Sequence, residues 1–230
     1  MLFLNENLPK MDIGENISEI KKSLPRGTRL VAVTKTKPAE VIMEAYHARH
    51  KIFGENKAQE LMQKYQELPK DIEWHFIGHL QTNKVKFIIP FVKLIHGIDS
   101  LRILRAVNTE AKKINRMVPC LLQFHIAQES TKFGLSEQEA REILKSKIYT
   151  DMRNIAIAGV MGMATFTDDV SQVRSEFRML KGIFEKLKND FFPEDIAFRE
   201  ISMGMSDDYH IAVEEGSTLV RIGSKIFGER

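Results

Sequence analysis

The chain has 230 residues, 43% of them hydrophobic, and its 34 basic and 31 acidic residues give a formal net charge of +3. This is enough for one large core, and α/β barrels of this size commonly form a single domain. The charges are spread along the chain and no apolar segment approaches the roughly 20 residues of a membrane span, so neither a nucleic-acid partner nor a membrane partner is expected.

Apolar, strand-like runs alternate with segments of helical periodicity after a polar opening helix at residues 15–23. The predicted strands lie at 30–34, 51–54, 73–77, 93–98, 120–126, 155–159, 198–202 and 219–222. The predicted helices lie at 39–48, 57–67, 83–89, 101–114, 137–147, 170–188 and 207–214. Such alternation implies parallel strands with right-handed crossovers. Eight strands favour a single closed (β/α)₈ TIM barrel over residues 1–230, with an extra N-terminal helix, rather than an open sheet.

Polar residues follow the predicted strands, where the ligand-binding residues of such barrels lie. They are Lys35, Glu55, Asn56, His75, His79, Asp99, Gln123, His125, Thr165 and the segments 202–206 and 221–224. The run Ser-Met-Gly-Met-Ser-Asp-Asp at 202–208 leads into a helix, and Val-Arg-Ile-Gly-Ser follows at 220–224. Small residues let a ligand approach the backbone, and a helix N terminus offers N–H groups to an anion. Together the two segments predict a phosphate site.

A lysine at the end of the first strand gives this phosphate site a chemical context. Pyridoxal 5′-phosphate (PLP) needs a phosphate anchor and an amine for its aldehyde, and a buried lysine is a usable imine-forming amine. Side-chain alternation does not distinguish Lys35 from Lys37, but Pro38 begins the helix and leaves Lys37 in the outer loop. We therefore favour Lys35, with a solvated surface charge as the alternative.

Other polar residues keep two interpretations each. Arg221 lies in an apolar strand, where it is bound either to a ligand or in a structural ion pair. His75 and His79 have the spacing of a helical zinc pair, but they fall in a strand and a turn with no third ligand nearby, so zinc is not expected. Glu55 either orients the next residue or faces solvent.

The single cysteine and the N-terminal residues indicate the cellular compartment in which the protein is expected. Cys120 allows no intrachain disulfide, fits a reducing environment and is expected to be a buried, inert thiol. The N-terminal residues lack the pattern of a signal peptide. A cytoplasmic protein is predicted.

Several segments together resemble the pyridoxal phosphate homeostasis protein family, the YggS-like or PROSC proteins. They run in the family's order over nearly the whole chain: VAVTKTKP at 31–38, FGEN at 53–56, WHFIGHLQTNK at 74–84, GVMGM at 159–163, SMGMSDD at 202–208 and GSTLVRIGSKIFG at 216–228. The chain departs from the family at His125, where relatives usually carry asparagine, whereas Lys132 and Gly134 match.

The resemblance implies a barrel similar to the N-terminal domain of alanine racemase, the fold-type III arrangement. The cofactor-binding residues that it implies are Lys35, Asn56, His75, Ser202, Met203, Gly204, Ser206, Arg221, Gly223 and Ser224. Lys35 would hold PLP as an internal aldimine, and the two serines of 202–208 with residues 223–224 would bind the phosphate. Asn56 would lie close to the ring and His75 would line the same pocket. Arg221 would face the pyridine nitrogen and disfavour its protonation, because two positive charges would meet there.

The resemblance further implies a non-catalytic protein that holds and releases PLP, in vitamin B6 homeostasis, with PLP-dependent apo-enzymes as recipients. A monomer is predicted, since no exposed apolar stripe stands out. The alternative is a fold-type III amino-acid racemase or decarboxylase, and a racemase needs a second acid/base group opposite Lys35. In alanine racemases a tyrosine from a second domain supplies it; no such domain is seen here, and Tyr209 is expected to face the helix exterior. A barrel that binds another phosphorylated metabolite is the third interpretation.

Overall fold

Eight parallel strands close into a barrel in the computed structural model, which describes residues 12–129 and 133–229 and so leaves Lys132 outside the described residues. Each strand pairs with the next in the chain, and the last pairs with the first. The strands are β1 (Arg29–Val33), β2 (Ile52–Glu55), β3 (Glu73–Phe76), β4 (Leu94–Ile98), β5 (Val118–Phe124), β6 (Ile155–Gly162), β7 (Glu200–Ser202) and β8 (Leu219–Ile222). The predicted α/β barrel is confirmed.

Helices surround the barrel, and an extra one precedes the first strand as predicted. They are α1 (Ile13–Ser23), α2 (Ala39–His47), α3 (Ala58–Glu67), α4 (Val85–Ile88), α5 (Leu101–Lys113), α6 (Glu137–Lys145), α7 (Lys147–Thr150), α8 (Val170–Phe191), α9 (Tyr209–Glu214) and α10 (Ser224–Phe227). Helix α9 begins later than the predicted residue 207, because the Asp208 carboxylate accepts a hydrogen bond from the Met205 N–H (2.5 Å) and closes a turn there. Over the described ranges, no helix has the length and apolar character needed to cross a membrane.

Apolar side chains fill two layers, one between the barrel and the helices and one inside the barrel. The outer layer contains the largest buried side chains, such as Phe53, Trp74 and Phe177. The inner layer is small and consists of Val31, Leu94, Leu121, Ala158, Met161 and Leu219. Strands buried on both faces explain the nearly continuous apolar runs in the sequence. Cys120 is fully buried, and burial raises the pKa of its thiol well above the usual value, which makes it an inert group.

A capping box precedes α6 and gives a simple stability test. Ser136 Oγ accepts a hydrogen bond from the Glu139 N–H (3.2 Å), and the Glu139 carboxylate accepts one from the Ser136 N–H (2.8 Å). Replacing Ser136 with alanine is expected to lower the free energy of unfolding by about 1 kcal/mol, because a first-turn N–H loses its acceptor. Urea denaturation measures this. Ser136→Asp retains a cap and should stay near wild type; equal losses in both variants would contradict the assignment.

Candidate functional site

A cavity of about 730 Å³ opens where the strands end. Six of the ten predicted cofactor-binding residues line it: Lys35, Asn56, Ser206, Arg221, Gly223 and Ser224. The other four, His75, Ser202, Met203 and Gly204, are buried and do not line it. The structure therefore brings residues from β1, β2, β7 and β8 to one place, although they are far apart in the chain. Their contacts with a cofactor remain predictions.

The two lysines after β1 have different surroundings. Lys37 Nζ donates hydrogen bonds to the carbonyl oxygens of Phe227 (2.9 Å), Gly228 (3.3 Å) and Glu229 (3.3 Å), so it holds the C-terminal segment in place. Lys35 is half-buried on the cavity wall. Thr36, between them, has a positive φ of 66°, which turns the chain sharply at this point. This division of roles agrees with the choice of Lys35 from the sequence.

A buried ion pair supports the strand end that carries Lys35. Lys64 Nζ, on α3, donates to Glu55 Oε1 (2.7 Å), to the Thr34 carbonyl (2.8 Å) and to Glu60 Oε1 (2.7 Å). The Thr34 hydroxyl donates to the same Glu55 oxygen (2.5 Å). Glu55 is fully buried, so the alternative in which it faces solvent is wrong. Burial raises the pKa of Glu55 against the opposing effects of Lys64 and Thr34.

Hydrogen bonds between β8 and the loop after β7 shape the predicted phosphate end. The Gly223 N–H donates to Ser206 Oγ (3.3 Å), and the Arg221 N–H donates to the Gly204 carbonyl (2.9 Å). Gly204 has a φ of +92°, and a Cβ there would lie 2.6 Å from the Ala212 Cβ, so glycine allows α9 to pack closely. The Met203 side chain is fully buried in the outer core layer and contributes to packing.

Arg221 is 4% exposed, and its guanidinium faces neutral acceptors. It donates to Ser202 Oγ (2.6 Å) and to the Gly162 carbonyl (3.0 Å). Burial lowers its pKa to about 10, and the nearby Asp208 carboxylate opposes this shift. Arg221 is therefore protonated at neutral pH. Among the described residues no carboxylate forms an ion pair with it, so the ion-pair alternative is not supported over these ranges.

Two glycines bring the ends of β2, β3 and β4 unusually close together. A Cβ on Gly78 would lie 2.3 Å from the Asn56 carbonyl oxygen, and one on Gly97 would lie 2.4 Å from the Gly78 carbonyl oxygen. The close approach of Gly78 to the Asn56 backbone fixes the position of Asn56, which lines the cavity. Its side-chain Oδ1 is buried and accepts no hydrogen bond from any described residue. A buried acceptor without a donor is costly and suits a ligand that supplies one.

Two phenylalanines that were not predicted from the sequence lie at the rim of the cavity. Phe133 lines the cavity and stacks on the His79 ring at 4.2 Å, and Phe166 is 89% exposed. Both lie in loops, where apolar periodicity gives no signal. His79 Nδ1 lies 2.8 Å from Asp99 Oδ2.

No cluster of three His, Cys, Asp or Glu side chains that could hold a metal occurs in residues 12–129 and 133–229. Tyr209 does not face the helix exterior as expected: it is 5% exposed, and its hydroxyl lies 3.4 Å from Ser23 Oγ on α1. The Tyr209 side chain therefore packs in the core between the barrel and the helices, next to α1, and does not line the cavity.

Comparisons with known proteins agree with the geometry and confirm the resemblance. A family model described as alanine racemase, N-terminal domain, matches residues 11–230. The chain is 36% identical to the pyridoxal phosphate homeostasis protein of Aquifex aeolicus (93% of this chain, 95% of the relative) and 39% identical to that of Homo sapiens (88% and 76%).

Solved structures give the same result. PipY of Synechococcus elongatus, a COG0325 family member, is similar with a TM-score of 0.87 without PLP and 0.85 with PLP bound, at 31% and 30% identity, over 94% of this chain and 100% of PipY. The alanine racemase of Clostridium difficile 630 shares the fold, with a TM-score of 0.75 at 17% identity over 95% of this chain and 60% of the racemase.

Proposed function

Since this chain belongs to the alanine racemase N-terminal domain family, and within it to the pyridoxal phosphate homeostasis proteins, we propose that it binds PLP in the cavity at the barrel mouth. Lys35 binds the cofactor covalently, as an imine, and the protein acts as a carrier in PLP homeostasis. The observation that supports this best is the cavity itself, which combines a lysine, a buried arginine and an amide oxygen without a donor.

The residues around the cavity fit the chemistry of this cofactor. When bound, PLP supplies an aldehyde that reacts with an amine, a phenolic oxygen, a ring nitrogen and a phosphate. Asn56 Oδ1 is an acceptor in need of a donor, and Ser206 and Ser224 offer hydroxyls at the end of the cavity where Gly223 brings the backbone close. Lys35, which follows β1, lines the same cavity and supplies the amine.

The environment of Arg221 supports a carrier rather than an enzyme. Its guanidinium is buried, positively charged at neutral pH and part of the cavity wall. A fixed positive charge beside a pyridine nitrogen disfavours protonation of that nitrogen, which weakens the ring as an electron sink for carbanion chemistry. The relatives' names describe homeostasis and not a reaction.

Amino-acid racemisation is a second candidate, favoured by one observation. His79 lines the cavity and is hydrogen-bonded to Asp99 (2.8 Å), the arrangement that orients a histidine for acid/base work. Incubation of the PLP-loaded protein with L-alanine in D₂O separates the two functions. The carrier proposal predicts no exchange of the α-proton above that of free PLP, whereas exchange that disappears in His79→Ala would establish catalysis.

The proposal extends to recipients, location and oligomeric state. It includes PLP-dependent apo-enzymes as recipients and a monomer in the cytoplasm, as expected from the sequence. Light scattering coupled to size-exclusion chromatography tests the monomer directly. A mass close to 26.5 kDa supports it, and twice that value rejects it.

An absorption titration with PLP tests the proposal. Wild type is expected to develop the band of a protein-bound imine, and Lys35→Ala is expected to lose it because the proposed attachment amine is removed. Lys37→Ala is the matched control, since Lys37 also lines the cavity but donates to the C-terminal carbonyls. Retention of the band in Lys35→Ala, or its loss in Lys37→Ala alone, would reject the assignment of Lys35.

A further inference from the structure

A chain of hydrogen bonds runs through the barrel interior beneath the cavity. Arg221 Nη1 donates to Ser202 Oγ (2.6 Å), Ser202 Oγ lies 2.8 Å from His96 Nδ1, and His96 Nε2 lies 3.0 Å from His75 Nδ1. The four side chains come from β8, β7, β4 and β3 and are all at most 4% exposed. His96 is not among the site residues predicted from the sequence.

The donors and acceptors of the four side chains favour one direction for the whole chain. A guanidinium can only donate, so Ser202 Oγ accepts from Arg221 and keeps one hydroxyl hydrogen and a second lone pair. Among the described residues His96 Nδ1 is the other hydrogen-bond partner of this hydroxyl, so the buried hydrogen is satisfied only if His96 Nδ1 accepts it, and the proton of neutral His96 then lies on Nε2. His96 Nε2–H donates to His75 Nδ1, so the proton of His75 also lies on Nε2. All three hydrogen bonds are then donated in the same direction, from Arg221 towards His75.

The electrostatics of the barrel interior agree with this arrangement. Burial lowers the pKa of His75 to about 3, with smaller effects from Arg29 and Lys93. Burial also lowers the pKa of His96 well below its usual value, and the positive charges near it, including Arg221, add to the effect. Both imidazoles are therefore neutral at physiological pH, which is the state that a one-way chain from Arg221 requires.

The position of Ser202 separates it from the phosphate end. Its side chain is fully buried and does not line the cavity, whereas Ser206 does. Its hydroxyl hydrogen is directed to His96, and it already accepts from Arg221. Because its hydrogen is donated to His96, the Ser202 hydroxyl has no hydrogen left to donate to a phosphate in the cavity.

We propose that Ser202 and His96 are positioning residues for Arg221: they hold its guanidinium towards the cavity, and Ser202 serves the arginine instead of the cofactor phosphate. This assignment rests on the proposed function, since the cofactor is what Arg221 faces. It divides the two serines of the 202–208 segment between two tasks. Ser206 binds the phosphate and Ser202 orients the arginine.

Matched alanine variants of the two serines test this division. Inorganic phosphate, used as a competitor of PLP binding, should bind about tenfold or more weakly to Ser206→Ala and equally well to wild type and Ser202→Ala. In the PLP-loaded protein, the pH at which the absorption band changes should rise by about half a unit or more in Ser202→Ala and in His96→Leu, because a relaxed arginine opposes ring protonation less. It should not move in Ser206→Ala. A Ser202→Ala variant that loses phosphate affinity as Ser206→Ala does would overturn the proposal.

A measurement on ligand-free wild type keeps the test independent of cofactor binding and of variant folding. Long-range ¹H–¹⁵N spectra distinguish the two neutral tautomers of histidine and its protonated form. We expect His75 and His96 as neutral Nε2–H tautomers at pH 7. An Nδ1–H tautomer or a protonated ring at His96 would contradict the chain even if PLP binds. Failure of wild type to bind PLP, with the tautomers as expected, would instead reject the proposed function.

Discussion

Replacing Lys64 with methionine is expected to lower the free energy of unfolding by about 3–5 kcal/mol at pH 8, because it leaves a buried carboxylate without its partner. Lys64 and Glu55 are 5% and 0% exposed, and Lys64 Nζ makes three hydrogen bonds at 2.7–2.8 Å. After the substitution Glu55 keeps only the Thr34 hydroxyl among these partners. Urea denaturation monitored by circular dichroism measures the loss.

Two control variants show whether the loss comes from the buried charge. Lys51→Met removes an ion pair with Asp71 in which both side chains are about half exposed. This substitution should lower the free energy of unfolding by less than about 1 kcal/mol. The double variant Lys64→Met/Glu55→Gln should recover part of the loss, since no charge is then left buried. A Lys64→Met variant no less stable than Lys51→Met would contradict this description of the pair.

Acidification from pH 7 to pH 5 is expected to lower the stability by about 4–5 kcal/mol, mainly through three buried histidines. In the unfolded chain each imidazole has a pKa near 6.5, whereas burial lowers the pKa of His50 to about 4, that of His75 to about 3 and that of His96 well below 6.5. Below pH 6.5 the unfolded state therefore binds more protons than the folded state. As the pH is lowered from 7 to 5, the free energy of unfolding decreases by about 2 kcal/mol for each histidine. Glu55 offsets part of this, because burial raises its pKa.

Thermal denaturation at several pH values measures this dependence. His50→Gln is the matched variant, because glutamine keeps a donor for the Ile52 carbonyl, which His50 Nε2 contacts at 2.8 Å, and cannot be protonated. The loss between pH 7 and pH 5 should then shrink by about 2 kcal/mol. A stability that does not change over this range would show that the histidines titrate normally in the folded protein.

The barrel was predictable because its signals are local. Each strand is an apolar run and each helix has its own period, so the order of elements follows from short windows of sequence. The residues at the cavity were found for the same reason: Lys35 and Asn56 lie just after predicted strands, and Gly223 follows a strand interrupted by Arg221. Right-handed parallel connections then place all of these strand ends on one face.

The support behind the cavity wall could not be predicted, because its partners are distant in the chain. His96 contacts Ser202 across 106 positions, and Lys64 contacts Thr34 across 30. One signal was available: His96 is a polar residue within an apolar strand, as Arg221 is, and the same argument about burial applies to both. The partner that satisfies such a residue is decided only by the closure of the barrel.

Reduction of the PLP-loaded protein with borohydride, followed by peptide mapping, tests the central claim most directly. The reagent fixes an imine as a stable secondary amine, so the modified residue identifies the attachment site. We expect a single modified peptide, with the added mass of reduced PLP on Lys35. Modification of another lysine, or none on a protein that binds PLP, would contradict the claim that Lys35 holds the cofactor.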